Sequence, residues 1–333
     1  MDAIPSLGLS DGAADATGGR PRPLSIRGAL FDWGARTYVM GIVNLTPDSF
    51  SGDGILARAS RGRPAGMARA PGPCTADRAA SGTGPFDPVA MAVELGRGMV
   101  ADGADILDVG GESSRPGHAD VDEAEELRRT IPVIRALRAA LPEAPISIDT
   151  VKPGVAEAAL DAGADVINDV WAAGPSAALA RLAAERGAPY VVMHNRDVAR
   201  YRDVVAEVVA DLQRALDRAV AAGCAWDALI VDPGIGFGKT ARQNLALLHG
   251  LAALRTLGRP ILLGTSRKST IGKVLELPAD QRLEGTLATT ALGIAAGVDI
   301  VRVHDVAANL RAARMSDAIV RGGWHDATEE VPQ

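Results

Sequence analysis

The sequence predicts an α/β fold: a (β/α)8 TIM barrel with an N-terminal β-hairpin and a long insertion after its first barrel strand. Three observations lead there. Eight short apolar runs, at 38–44, 104–111, 146–149, 165–170, 190–194, 228–233, 261–266 and 299–304, read as buried strands, and each link between them is long enough for a crossover helix. Glycines recur just past expected helix ends, with Gly103, Gly163 and Gly223 spaced by 60 residues, a repeat of every second βα unit. The runs also close on polar groups: Asn44, Gly111 with Glu112, Asp149, Asn168 with Asp169, His194 with Asn195, Asp232, Ser266 with Arg267 and Lys268, and Arg302 with His304. Parallel strands bring all of these to one mouth, and in such a barrel the carboxyl-end face carries the active site.

Taken in order, Met1 to Pro23 is rich in Gly, Pro, Asp and Arg and reads as a disordered leader, 1–23. Leu24 to Thr37 alternates around Gly28 and Gly34 as a hairpin before the first barrel strand. A polar loop begins at Thr46, and an Ala/Gly/Arg/Pro-rich insertion follows over 55–86. Regular alternation then runs from Asp87, so one barrel domain is expected over 24–325, with a tail at 326–333.

Composition narrows the function. With 47% hydrophobic residues the chain buries a large core, and a formal net charge of -6 speaks against a general nucleic-acid binder. An anionic ligand therefore needs locally placed cations, and all four lysines, Lys152, Lys239, Lys268 and Lys273, fall in or beside polar loops that follow apolar runs. The cysteines Cys74 and Cys224 have no metal or disulfide spacing. No apolar run approaches ~18 residues, so the expectation is a cytoplasmic protein with no membrane partner and no signal peptide.

A lone Asp at a strand end most often caps the next helix. Asp149, Asn168 and Asp232 on three strands converging on one mouth suggest more: a carboxylate accepts two parallel N–H donors from a guanidine-like edge, as a flat pterin presents, while Asn168 can donate and accept. Lys268, Arg302, His304 and Arg115 supply cations and donors for a diphosphate or similar anion. Asn44 is neutral and suits Mg²⁺, which keeps most of its shell as water and phosphate oxygens, although a turn residue bonding its own backbone is an equal reading. The run Asp232 to Thr240, DPGIGFGKT, is not a nucleotide-hydrolase phosphate loop, because Pro233 stands where that motif needs Gly. Its glycines instead let backbone and Phe237 approach a flat ligand. His194 reads as a satisfied barrel residue, and Met193 and Trp171 as packing that can wall the ring.

These residues resemble the dihydropteroate synthase family of folate biosynthesis. The resemblance rests on NLTPDSFSGDG (44–54), GGESSRPG (110–117), SIDTVKP (147–153), INDV (167–170), DPGIGFGK (232–239), GTSRKSTIG (264–272) and RVHDV (302–306), in family order over roughly 35–320. It implies a barrel that joins p-aminobenzoate to (7,8-dihydropterin-6-yl)methyl diphosphate, forming 7,8-dihydropteroate and diphosphate. By motif position, Asp149, Asn168, Asp232 and Lys268 hold the pterin, Asn44 binds Mg²⁺, and Arg115, Arg302 and His304 hold the diphosphate. Ser114, Pro116, Phe237 and Ser269, with Phe50 from the first loop, form the p-aminobenzoate pocket. The family also implies a homodimer through the late barrel helices.

Three departures stand out: Ser114 where the family usually has Thr, SGDG (51–54) where SDGG is common, and the insertion at 55–86 directly after the first loop. Two other readings share the pterin contacts. A methyltransferase domain serving a corrinoid partner has no use for the anion-binding motifs SSRPG, SRKS and RVH, and a noncatalytic paralogue binds pterin without turnover.

Overall fold

The computed structural model describes residues 20–45, 87–112, 121–174 and 176–322. The expected leader apart from 20–23, the insertion at 55–86 and the tail at 326–333 lie outside the described residues. The hairpin forms as expected: β1 (Leu24–Ile26) pairs antiparallel with β2 (Ala29–Phe31). Arg27 and Gly28 link them at φ 51° and 78°, because a two-residue hairpin needs left-handed backbone at both positions to match the strand twist.

Eight parallel strands follow: β3 (Tyr38–Asn44), β4 (Ile106–Gly110), β5 (Ile146–Asp149), β6 (Val166–Asp169), β7 (Tyr190–Met193), β8 (Leu229–Asp232), β9 (Leu262–Leu263) and β10 (Ile300–Val303). Their order is β8-β7-β6-β5-β4-β3-β10-β9, and the sheet closes where Val231 bridges Ile261 and its N–H donates to Pro260 O at 2.9 Å. Each strand lies within its predicted run. The run at 261–266 gives only the short β9, because the chain turns at once and Lys268 N–H donates back to Thr265 O.

Nine helices are seen among the described residues: α1 (Pro88–Ala101), α2 (Glu123–Ala140), α3 (Pro153–Ala162), α4 (Ala178–Arg186), α5 (Val204–Ala221), α6 (Ala241–His249), α7 (Ser269–Leu275), α8 (Leu283–Ala295) and α9 (Val306–Val320). Local chemistry starts several of them. Asp87, Asp122 and Asp203 accept first-turn N–H groups, and Thr240 with Gln243 makes a reciprocal capping box. The recurring glycines stop them: Gly103, Gly163 and Gly223 all have positive φ.

Alternation along the strands divides the core. Val39, Val43, Leu107, Val109, Ile146 and Ile148 pack with apolar helix residues such as Val133, Ile134 and Leu137. Inside the amino-terminal end, Met40, Ile106, Val166, Val191, Ile230, Leu262 and Ile300 pack against Phe31, Trp33 and Tyr38. The hairpin segment thus supplies an aromatic stopper whose rings lie 4.6–5.6 Å apart between centroids.

Register at that same end is held by a repeated device. The aspartate two residues past a helix-ending glycine bonds a neighbouring chain segment twice, once by each half of the residue. Asp105 N–H donates to Val39 O while its Oδ2 accepts from Val39 N–H at 2.8 Å. Asp165 treats Ile146 the same way, and Asp299 treats Ile261 so. A one-residue slip breaks both bonds, so register and facing are set together.

Candidate active site

The side-chain period of a strand is two, so once Leu107, Val109, Ile148, Ile167, Val231 and Val303 face the helices, their neighbours face the barrel interior. That parity turns Asp108, Asp149, Asn168, Asp232 and Arg302 inward. Four of these are acids or an amide, and all four are buried. Buried charge is tolerated only when paired and hydrogen-bonded, and the pairing here crosses the barrel.

Arg302 on β10 is the hub. Its Nε donates to Asp108 Oδ2 at 2.5 Å and its Nη2 to Asp149 Oδ2 at 2.7 Å, bridging three strands. Asn168 Nδ2 donates to the same Asp108 Oδ2 at 3.2 Å, and Asp149 lies in register beside Asn168. Two glycines admit the remaining groups. A Cβ at Gly110 would lie 3.6 Å from both Asn44 Oδ1 and Asp149 Cβ, so Asn44 faces the same space as Asp149. A Cβ at Gly264 would lie 3.8 Å from both Lys268 Nζ and Arg302 Cβ, so the absence of a side chain there lets the Lys268 head and the Arg302 stem share one space.

Burial dominates the electrostatics. It pushes the Asp149 carboxyl up to about 7, with Arg302 pulling back and Asp108 adding to the rise. Asp232 is also raised by burial, opposed by Lys268 and by the Gly234 N–H that its Oδ1 accepts at 2.7 Å. Burial alone would lower Arg302, but Asp108 and Asp149 outweigh it and hold the guanidinium above its ordinary value. An excess of acceptors around few cations makes a floor complementary to a ring edge rich in N–H donors.

One wall is the loop after β8. Gly234, Gly236 and Gly238 hold positive φ, and side chains there would collide with His194 O at 1.8 Å, Lys268 Cδ at 3.0 Å and Arg196 O at 2.2 Å. Phe237 from this loop packs with Val170 and Met193, and Lys268 Nζ lies 4.5 Å from the centre of its ring. Lys239 does not reach outward as a phosphate-loop lysine does. Its Nζ donates beneath the loop to Gly234 O and Phe237 O at 3.0 Å and sits 2.9 Å from His194 Nδ1. His194 Nε2 meets Asp211 Oδ2 at 3.0 Å, so His194 is the satisfied barrel residue expected.

On the opposite side, His304 Nδ1 lies 2.9 Å from Ser266 Oγ, which also accepts from His304 N–H. Ser266 thus holds both the backbone and the ring of His304 at the end of β10. Lys268 and Ser269 follow at the start of α7, with Ser269 exposed.

The structure therefore brings together Asn44, Asp149, Asn168, Met193, Asp232, Phe237, Lys268 and Arg302 at one barrel mouth, with His304 at the end of β10 and Ser269 opening α7. Phe50, Ser114, Arg115 and Pro116 lie outside the described residues. Arg302 is engaged by acids through two of its nitrogens, Nε and Nη2. Asp108 escaped the sequence reading, which sought polar groups at strand ends. The available signal was its charge inside the apolar run ILDVG, a position too costly to bury without a partner.

Comparison with known proteins agrees with this geometry. Residues 75–304 match the pterin-binding enzyme family. A dihydropteroate synthase from Clostridium beijerinckii is 45% identical over 292 residues, covering 87% of this chain and 97% of the relative. The crystal structure of dihydropteroate synthase from Clostridium difficile in the presence of pteroic acid superposes with a TM-score of 0.75 at 46% identity, covering 87% of this chain and 99% of that one. The Xanthomonas albilineans enzyme in complex with 7,8-dihydropteroate gives a TM-score of 0.73 at 38% identity, covering 89% and 98%. The chain belongs to the pterin-binding enzyme family, within its dihydropteroate synthases.

Proposed function

We infer that this barrel mouth performs the dihydropteroate synthase reaction. The amine nitrogen of p-aminobenzoate forms a C–N bond to the methylene of (7,8-dihydropterin-6-yl)methyl diphosphate, the C–O bond breaks, diphosphate leaves with the electron pair, and the nitrogen loses a proton. The observation that carries the reading is the convergence of Asp149, Asn168 and Asp232 with Lys268 and Arg302 in one buried cup. The acids and amide accept from the pterin edge, and Phe237 with Met193 walls the ring. As C–O cleavage runs ahead of attack, the ionised Asp149 carboxylate stabilises the positive charge that develops on the pterin methylene. An aromatic amine keeps its lone pair at neutral pH, so the step needs no strong general base.

Arg115 and His304, with Arg302, serve the diphosphate, and Ser114, Pro116, Ser269 and Phe50 the p-aminobenzoate. Asn44 would offer Mg²⁺ a single neutral oxygen ligand; no group of three or more His, Cys, Asp or Glu able to hold a metal occurs among the described residues, so water and phosphate oxygens would complete the shell. A Mg²⁺ held by Asn44 would offset negative charge on the departing diphosphate.

A homodimer through α8 and α9 is supported by Leu292, Met315, Ile319 and Val320, which expose apolar surface on these two helices. No described helix is long and apolar enough to cross a membrane, which fits a cytoplasmic setting. The deciding experiment is a radiochemical assay of purified protein with both substrates and Mg²⁺. Formation of labelled dihydropteroate is expected; pterin binding without turnover returns the noncatalytic reading. The methyltransferase reading is disfavoured by the cations Lys268 and Arg302 with the nearby His304, a set that suits an anionic leaving group.

A further inference from the structure

The reaction as described gives Asp108 no task, yet its burial is complete and its environment specific. It sits on β4 in register between Ile42 and Ser147, one strand from Asp149 and across the barrel from Arg302. Its Oδ2 accepts both from Arg302 Nε and from Asn168 Nδ2, while Oδ1 has no hydrogen-bond partner among the described residues. Ser147, the in-register neighbour on β5, likewise leaves its hydroxyl without a partner there. A group this costly to bury is retained where it orders others.

An amide side chain has two faces of opposite character: one donates, the other accepts. An ionised carboxylate only accepts, so Asn168 must turn its NH₂ toward Asp108, which leaves the Asn168 carbonyl oxygen for the cup. We propose that Asp108 is a positioning residue that fixes the flip of the Asn168 amide, so that its carbonyl oxygen is presented to the ligand and selects a ring edge that donates N–H at that point. The sequence leaves the flip of the Asn168 amide open; Asp108 settles which side carries the oxygen, while the second Nδ2–H stays available to donate. Through Arg302, the same carboxylate also holds the guanidinium against Asp149. The inference rests on the pterin reading above, and it narrows that reading to the face of Asn168 that the ring meets.

The test is a swap. In Asp108→Asn the restraint is lost, since the new amide can donate to Asn168 and reverse it. Asn168→Asp alone sets two acids face to face. The double variant Asp108→Asn/Asn168→Asp restores one amide and one carboxylate, with the carboxylate now offering its second oxygen to the ring. Binding of 6-hydroxymethylpterin is read by titration calorimetry, KM for each substrate by steady-state assay, and folding by thermal melts. Each single variant should lose at least about tenfold in pterin affinity, with KM for p-aminobenzoate nearly unchanged, and the double variant should recover most of the loss.

A purely structural Asp108 would lower the melting temperature without selective recovery in the double variant. Wild-type affinity in Asp108→Asn overturns the proposal, as does a folded double variant that binds no better than the single ones. If Asp108→Asn does not fold, a folded double variant with near-parental pterin affinity supports it, and failure of both to fold overturns it. Should the parent protein bind no pterin at all, the functional reading falls first; parental binding with an unaffected Asp108→Asn sinks only this inference.

Discussion

Lys239 Nζ lies 2.9 Å from His194 Nδ1, under the loop that carries Phe237. Burial, helped by the nearby Lys268 and opposed by Asp232, lowers this lysine to about 7. A depressed lysine means that between roughly pH 7 and 10 the unfolded chain holds the extra proton, so stability gains with rising pH over that window. The melting temperature of the parent minus that of Lys239→Met is expected to grow from pH 7 to 9.5. A constant difference would show that Lys239 stays charged in the folded state.

Asp149 makes the complementary case. Raised to about 7 by burial, it contributes stability to the unliganded protein below its unfolded value near 3.8, and that contribution is lost as pH rises through 7. A pterin that donates to the carboxylate requires the ionised form, so affinity should fall by about tenfold per unit as pH drops below 7. Calorimetry at pH 6 in buffers of different ionisation heat should show proton release on binding. Affinity independent of pH from 5.5 to 8 would contradict the assignment.

Gly234 and Gly187 share φ values near 65° and 63° but not surroundings. Gly187 has nothing within 4 Å of an added Cβ, so Gly187→Ala should cost only the left-handed penalty of about 1–2 kcal/mol by chemical denaturation. Gly234→Ala drives its Cβ into His194 O and should cost well beyond that, with loss of pterin binding. Equal costs would mean that the loop after β8 yields freely.

Asp299→Ala strips Ile261 N–H of its side-chain acceptor and should destabilise by about 1–3 kcal/mol, whereas Asp299→Asn keeps an acceptor oxygen and should cost less. Denaturant titrations of the two variants compare them directly. Equal destabilisation would show that the carboxylate charge matters more than its bond to Ile261.

Arg267 holds a left-handed backbone at φ 57°, and its guanidinium makes a two-pronged pair with Asp305 at 2.6 and 3.0 Å. Because Lys268 is the next residue, Asp305→Ala should weaken pterin binding as well as stability. A variant that melts earlier yet binds pterin normally would confine the pair to a structural role.

Much of this architecture was legible in the chain because two signals reinforce one another. Apolar runs such as Ile146 to Asp149 and Val166 to Asp169 state both where a strand lies and, by their last polar residue, which end is the mouth. The glycines past α1, α3 and α5 mark helix ends through a backbone requirement that other residues meet poorly. Asp108 and the acid partners of Arg302 were not legible, since both depend on which side chains from distant strands meet across the interior. The Lys239, His194 and Asp211 chain was hidden for the same reason: the three come from a loop, a strand end and a helix face.

Phe31, Trp33 and Tyr38 shut the far end of the barrel, which makes the interior a blind alley. Among the described residues, access to the inward-facing polar groups is from the carboxyl-end mouth alone. On the proposed function this makes the order of binding a consequence of the hairpin: a flat ring held at the floor is expected to enter ahead of an amine held above it.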